Sequence, residues 1–200
     1  KRQTHFFDLD KLSGTVTARW AKEGEKIELL NGKTVDLTPY YGVIADDNGP
    51  QAIAGIMGGT ADSVSDDTVN LFIESAFFRP SAIQGRARKL NFSSDSSFRF
   101  ERGVDYGTTR EHLEYITALV LSICGTDATR VGPVSDIESD LPERRVVKFR
   151  AERCRKLVGV DIPTDFMEEA FKRLGFEYTR DGDLFTVTSP TYRFDIEIEE

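Results

Sequence analysis

Glu74 is the one charge in the apolar run Leu71–Phe72–Ile73–Glu74–Ser75–Ala76–Phe77–Phe78. If the run is a strand, Leu71 and Ile73 take one side, and Glu74 shares the other with Phe72 and Ala76. A carboxylate on an apolar face is costly unless it is paired or hydrogen-bonded. Two explanations stand open: an ion pair with an arginine of the following helix, or a pocket carboxylate that reads a polar group on a ligand. Two other segments suit the frame of such a pocket. Ala54–Gly55–Ile56–Met57–Gly58–Gly59–Thr60 lacks the lysine and spacing of a P-loop and the pattern of a dinucleotide fingerprint. It is either a tight turn or a place where a ligand approaches the backbone closely. Between Gly85 and Asp105, the short hydroxyls of Ser93, Ser94, Ser96 and Ser97 sit between two basic and aromatic runs, as in a ligand-facing loop or a polar surface turn.

These segments need elements to position them. Gly14 to Trp20 alternates, with Val16, Ala18 and Trp20 on one face, which predicts a half-buried strand. Lys26–Leu30 and Thr34–Leu37 flank Asn31–Gly32–Lys33, the signature of a hairpin. Tyr41–Ala45, Gln51–Met57 and Asn70–Phe78 read as buried strands of one sheet. Pro80 suits the first turn of a helix from Ser81 to about Lys89. A longer helix is expected from about Thr108 to Cys124, with Leu113, Ile116, Leu119, Val120 and Ile123 on one stripe, His112 on the exposed side and Gly125 as the stop. Val131 to Ile137 could return as a strand, and Glu138 to Glu143 is the candidate linker. Beyond it come a strand over Val146–Arg150, a helix over Glu152–Val158 and a helix from Thr164 to Leu174. Phe176–Thr179 and Leu184–Thr188 complete the unit as a hairpin. The fold class is therefore α+β. One domain over residues 1–140 is built on a mixed sheet with packed helices, and a small α+β domain covers 145–200, its last helix starting near Asp195.

Composition narrows the function classes. With 200 residues, 39% hydrophobic and 30% charged, the chain reads as a soluble globular protein. No apolar run approaches the ~20 residues of a membrane span. Lys1–Arg2–Gln3 opens no signal-peptide pattern, and with the acidic Ile196–Glu200 at the other end the chain reads as an internal fragment. Cys124 and Cys154 lie far apart and form no metal-binding motif, so a reducing cytosol is the default compartment. A net charge of −8 argues against a general nucleic-acid binder. Two basic clusters interrupt the acidity: Arg86–Ala87–Arg88–Lys89, and Glu143 to Lys156, with seven Lys or Arg against two Glu. They fit either local contacts to a phosphate backbone or solvated helix faces.

Five motifs, in this order and at this spacing, carry a resemblance: GIMGG, IESAFFRP, GRARK, the run from Ser94–Asp95 to Gly103–Val104–Asp105, and SPTYRFDIEIEE. Over essentially its whole length the chain resembles the β subunit of bacterial phenylalanyl-tRNA synthetases. The resemblance implies an editing domain that hydrolyses tRNA wrongly charged with tyrosine, followed by part of a small domain of nucleic-acid-binding type. Tyrosine exceeds phenylalanine by one hydroxyl, which an apolar synthetic pocket excludes only ~10²-fold, whereas a site built to bind that hydroxyl discriminates ~10⁴-fold or more. By the same resemblance Glu74 matches the carboxylate that reads the tyrosyl hydroxyl, Gly58 and Gly59 the pocket wall, and His5 the editing-site histidine. Ser94 and Ser96 stand where the family more often has Thr and Ala, and Tyr106 where it commonly has proline. Arg86, Arg88 and Lys89 become candidates for contact with the tRNA acceptor end. Asp195 matches the start of a magnesium-ligand set shared with the α subunit, whose remaining carboxylates are expected beyond Glu200. The resemblance further implies a cytoplasmic heterotetramer of two α and two β chains, tRNA(Phe) as partner, no membrane, and ATP and Mg2+ for the parent synthetase with neither expected in this fragment. The rival reading is a scaffold that docks RNA and packs subunits without hydrolysis.

Overall fold

The computed structural model of the chain describes residues 4–196. It divides into two compact units, Lys1–Glu138 and Ser139–Glu200. The class is α+β: short antiparallel strands intermixed with helices.

The first unit opens with β1 (Thr4–Asp8), β2 (Thr17–Trp20), β3 (Lys26–Glu28) and β4 (Thr34–Asp36). The hairpin expected at Asn31–Gly32 forms, with Ile27 opposite Val35 and Gly32 at φ +79°. β5 (Gly42–Asp46), β6 (Gly49–Ile53) and β7 (Met57–Gly58) continue a four-stranded antiparallel sheet in the order β2-β5-β6-β7. Both faces of its centre are buried. Val43, Ala45 and Ile53 point into the main core with the β3–β4 hairpin, Ile83, Ala87 and Phe100. The alternate residues Ile44, Ala52 and Ala54 join Phe7 in a second cluster on the opposite face. Burial on both faces is why these strands read as continuous apolar runs.

Four expectations are corrected here. The run at Asn70–Phe78 does not join that sheet: β8 (Leu71–Ser75) pairs only with β1, and this two-stranded layer covers the Ile44–Ala52 face. The run from Gln51 to Met57 is not one strand, because Gly55 at φ +65° turns the chain between β6 and β7. Of the face expected for Val16, Ala18 and Trp20, only Val16 is covered, packing against the Phe7 cluster. Ala18 and Trp20 are exposed, and Arg19 between them is held by Glu25 at 2.6 Å. The helix expected from Ser81 to Lys89 is two short ones, α1 (Pro80–Ile83) and α2 (Arg86–Lys89), broken by Gly85 at φ +76°.

A two-turn helix, α3 (Asp95–Phe100), replaces the expected loop in the hydroxyl-rich run. α4 (Thr109–Cys124) runs almost as expected and stops at Gly125, but its stripe has no fully buried residue, and Ile123 is 72% exposed. His112 is half-buried rather than solvated, its Nδ1 2.7 Å from the Thr108 carbonyl. Val131–Ile137 forms no strand. Pro133 removes a ladder donor, and Val131, Val134 and Ile137 all stand in solvent.

The second unit is β9 (Val146–Arg150), α5 (Ala151–Val158), α6 (Thr164–Arg173), β10 (Glu177–Asp181) and β11 (Leu184–Thr188), with sheet order β10-β11-β9. Phe185 is fully buried and stacks against Phe149, Phe171 and Tyr178. The helix expected near Asp195 has not begun by Ile196, and its remainder lies outside the described residues.

Candidate functional site

β1 and β8 place two candidates side by side. His5 is the register partner of Glu74, and Phe7 that of Phe72. Partners across an antiparallel pair share a face, so one face carries His5, Phe7, Phe72 and Glu74. The His5 ring packs edge-on against Phe7 at 4.4 Å between centroids, and Phe7 packs against Phe72 at 5.9 Å. This face overlies Ile44 and Ala52 of the larger sheet, and between the layers lies a cavity of about 270 Å³. That is below the ~300–1,000 Å³ of drug-sized sites and on the scale of one amino-acid side chain.

Glu74 and His5 both line the cavity. Burial pushes the Glu74 carboxyl up to about 7 and holds the His5 imidazolium below its ordinary range. Among the described residues the Glu74 carboxyl makes no hydrogen bond or ion pair, so the arginine partner that would make it structural is not found. At neutral pH the site therefore holds a neutral imidazole and a carboxyl poised between its two forms.

The opposite wall is the Gly55 turn and the start of α3. Ser94 caps α3 in a reciprocal capping box with Ser97, and its hydroxyl donates to the Ile56 carbonyl at 2.6 Å. Ser96 donates to the Gly55 carbonyl at 2.9 Å. Both hydroxyls thus fasten α3 to the turn, and both residues line the cavity. The neighbouring glycines have separate reasons. A Cβ on Gly58 would lie 2.6 Å from His5 Nε2 and nearer still to Cε1, so the imidazole occupies the space a side chain would need. A Cβ on Gly59 would lie 2.7 Å from the Gln51 carbonyl, which its N–H instead binds at 2.8 Å. Gly58 lines the cavity, whereas Gly59 sits behind it.

The basic candidates divide. Arg86 is held, with Nε donating to the Tyr40 carbonyl and Nη1 to the Ser81 carbonyl, each at 2.6 Å. Arg88 and Lys89 are exposed. In the second unit both Asp195 oxygens accept from Arg193, at 2.7 and 2.8 Å. Among the described residues no group of three or more His, Cys, Asp or Glu could hold a metal ion. One carboxylate already matched by a guanidinium does not fit Mg2+, which takes several oxygens at once.

Sequence reasoning missed the apolar wall of Ile44, Ala52, Phe78 and Phe100, because nothing distinguishes a cavity-lining apolar residue from a core one in a strand pattern. It also missed Asp62, which is 1% exposed with neither carboxylate oxygen hydrogen-bonded. Within Gly58–Gly59–Thr60–Ala61–Asp62 that residue reads as an ordinary loop aspartate.

The chain matches two family models: the B3/4 domain over residues 2–125 and the tRNA synthetase B5 domain over residues 147–200. It is 51% identical over 203 residues to a protein named phenylalanine--tRNA ligase beta subunit from Cupriavidus pinatubonensis, and 52% identical over 199 residues to one of the same name from Burkholderia pseudomallei. In both cases the match takes in 100% of this chain and 24% of the relative. An N-terminal fragment of the phenylalanyl-tRNA synthetase beta subunit from Pyrococcus horikoshii aligns over 98% of this chain and 56% of its own, at 14% identity and a TM-score of 0.45, a likeness too slight to carry an argument. The chain belongs to the B3/4 domain family, and its residues 147–200 are similar to the tRNA synthetase B5 domain.

Proposed function

We propose that this chain is the proofreading portion of a phenylalanine--tRNA ligase β subunit, and that its cavity binds the tyrosyl group of wrongly charged tRNA(Phe) for hydrolysis. One observation carries the reading: Glu74, a carboxyl without a partner among the described residues, lines a cavity of about 270 Å³ beside His5. A buried carboxyl with unfilled hydrogen-bonding capacity is costly, and a phenolic hydroxyl entering the cavity would relieve that cost. Phenylalanine would leave it in place. His5, neutral because burial disfavours its charged form, is free to accept a proton from the attacking water or to orient it. Ser94 and Ser96 act by holding the wall, since their hydroxyls already donate to carbonyls of the turn.

On this reading residues 1–140 are the editing domain and 145–200 the following small domain of a cytoplasmic heterotetramer of two α and two β chains. ATP, Mg2+ and the synthetic site serve the parent enzyme. A second reading, a scaffold for RNA docking and subunit packing, has support in α4, where Tyr115 and Ile123 are 71% and 72% exposed.

Deacylation separates the two. A hydrogen bond to a charged group contributes roughly 1.5–3 kcal/mol, so Glu74→Ala should reduce discrimination of Tyr-tRNA from Phe-tRNA by ~10- to 100-fold. The slow hydrolysis of Phe-tRNA should hardly change. Equal falls in both rates would remove Glu74 as the tyrosine reader, and no tyrosine-specific hydrolysis by the unaltered chain would favour the scaffold.

A further inference from the structure

Trp20 is the only tryptophan of the chain, and its side chain stands 52% exposed at the end of β2, the edge strand of the larger sheet. It is not a stray surface aromatic. The Arg86 guanidinium lies 5.6 Å from the Trp20 ring centroid and 4.3 Å from that of Tyr40, and the Lys89 ammonium lies 3.9 Å from the Tyr40 ring. The two carbonyl bonds already described fix Arg86 in this position, so the array is preorganised. Arg88 is exposed on the same short helix.

This array adjoins the cavity through two backbone links. Gly42 is the register partner of Trp20, and a Cβ built there would lie 3.9 Å from Trp20 Cζ3 and 3.6 Å from the Cβ of Ala54, a cavity-lining residue. One glycine thus separates the indole from the cavity wall. On the other side the chain passes from Lys89 to the cavity residue Ser94 in five residues. Flat aromatic faces braced by cations are what unpaired nucleotides stack on, with the charges matching the phosphates between them. The protein carries −8 overall, so this local positive array would hold an RNA end at one place and not across the surface.

We propose that Trp20, Tyr40, Arg86 and Lys89 form a stacking platform for the unpaired nucleotides at the 3′ end of an RNA, whose terminal aminoacyl ester reaches into the adjoining cavity. The ester part of this proposal rests on the function proposed above; the platform itself is tested without it.

Because Trp20 is the only tryptophan, its fluorescence reports directly on stacking. A short single-stranded RNA ending in CCA-3′ should quench it saturably, and a blunt RNA duplex of equal charge should not. In fluorescence anisotropy with the labelled single strand, Trp20→Ala should bind about 5- to 100-fold more weakly. Trp20→Phe should keep most of the affinity, and both variants should melt as the unaltered chain does. No quenching by the single strand, equal quenching by the duplex, or unchanged affinity of Trp20→Ala would overturn the platform. Quenching in a chain that shows no tyrosine-specific deacylation would support the platform and overturn the cavity reading. Tyrosine-specific deacylation without quenching would do the reverse.

Discussion

Of the residues at this site, Gly58 is the one whose reason is least visible in the sequence. GIMGG looks like a flexible turn, yet Gly58 is glycine because the His5 imidazole lies against its Cα. That contact joins residues 53 positions apart, and no local pattern encodes it. Gly58→Ala should therefore act through His5. The added methyl turns the ring out of the cavity, and loss of its burial returns its pKa upward toward the ordinary 6.5. The chain has two histidines, so NMR titration can follow His5 with His112 as the internal control. We expect an upward shift for His5 only, with stability falling by about 1 kcal/mol, in the ordinary range for one substitution. An unmoved His5 titration would show that the strand shifts and the ring stays. Glu74, by contrast, was legible from sequence as the charge out of place in an apolar strand. What the sequence could not supply was the identity of its neighbour across the ladder.

At the scale of elements, local signals worked where one residue decides the backbone and failed where tertiary contacts do. Gly32 and Gly125 each turn or end an element where expected. The hydroxyl-rich run reads as a ligand-facing loop or a polar surface turn from its short hydroxyls, yet Ser94 and Ser97 form the reciprocal cap of a helix. Which sheet β8 joins was not legible either, since a buried strand carries no label for its partner. The Ser94 cap makes its own prediction. Ser94→Ala removes an N-cap acceptor and leaves the Ile56 carbonyl without its hydroxyl donor. Loss of such caps costs ~0.5–2 kcal/mol, and the carbonyl adds to it, so urea unfolding should show a loss of about 1–3 kcal/mol. Ser94→Thr keeps the hydroxyl and should lose less than half as much. Equal losses for the two would mean that volume, and not the cap, matters at this position. Because α3 forms the wall opposite Glu74, Ser94→Ala should also slow deacylation of Tyr-tRNA, with Ser94→Thr restoring it.

At the scale of the whole molecule, the first unit should lose stability as pH rises toward neutrality while the second should not. The first holds two carboxyls that burial raises, Asp62 from 3.8 to about 6 and Glu74 from 4.5 to about 7. A carboxyl raised on folding binds a proton more tightly folded than unfolded. Its contribution is therefore fully favourable below the unfolded pKa and is lost as pH rises through the folded one. Two such groups weaken the first unit as pH rises from about 4 to about 7. Each gap of between two and three pH units corresponds to roughly 3 kcal/mol. Depressed carboxyls oppose this only at lower pH, Asp8 through its bond from Thr68 and Glu25 through its bond from Arg19, while His5, lowered by burial, offsets part of it as pH rises toward 6.5. The second unit has only depressed carboxyls among those shifted: Glu168 by Arg180, Asp183 by Thr164 and Asp195 by Arg193. Their stabilisation is present above the unfolded pKa and is lost in acid, so that unit should be flat from pH 5 to 8. Calorimetry across this range should show the melting of the first unit moving down with rising pH while the second stays in place. Asp62→Asn and Glu74→Gln replace the two raised groups with neutral isosteres. Together they should remove most of the downward movement and raise the melting temperature at pH 8, while Glu74→Gln also weakens tyrosine selection. A Glu74→Gln variant no more stable than the parent at pH 8 would mean that the carboxylate is well solvated there, and the cavity would then have no stored desolvation cost for a tyrosyl hydroxyl to relieve.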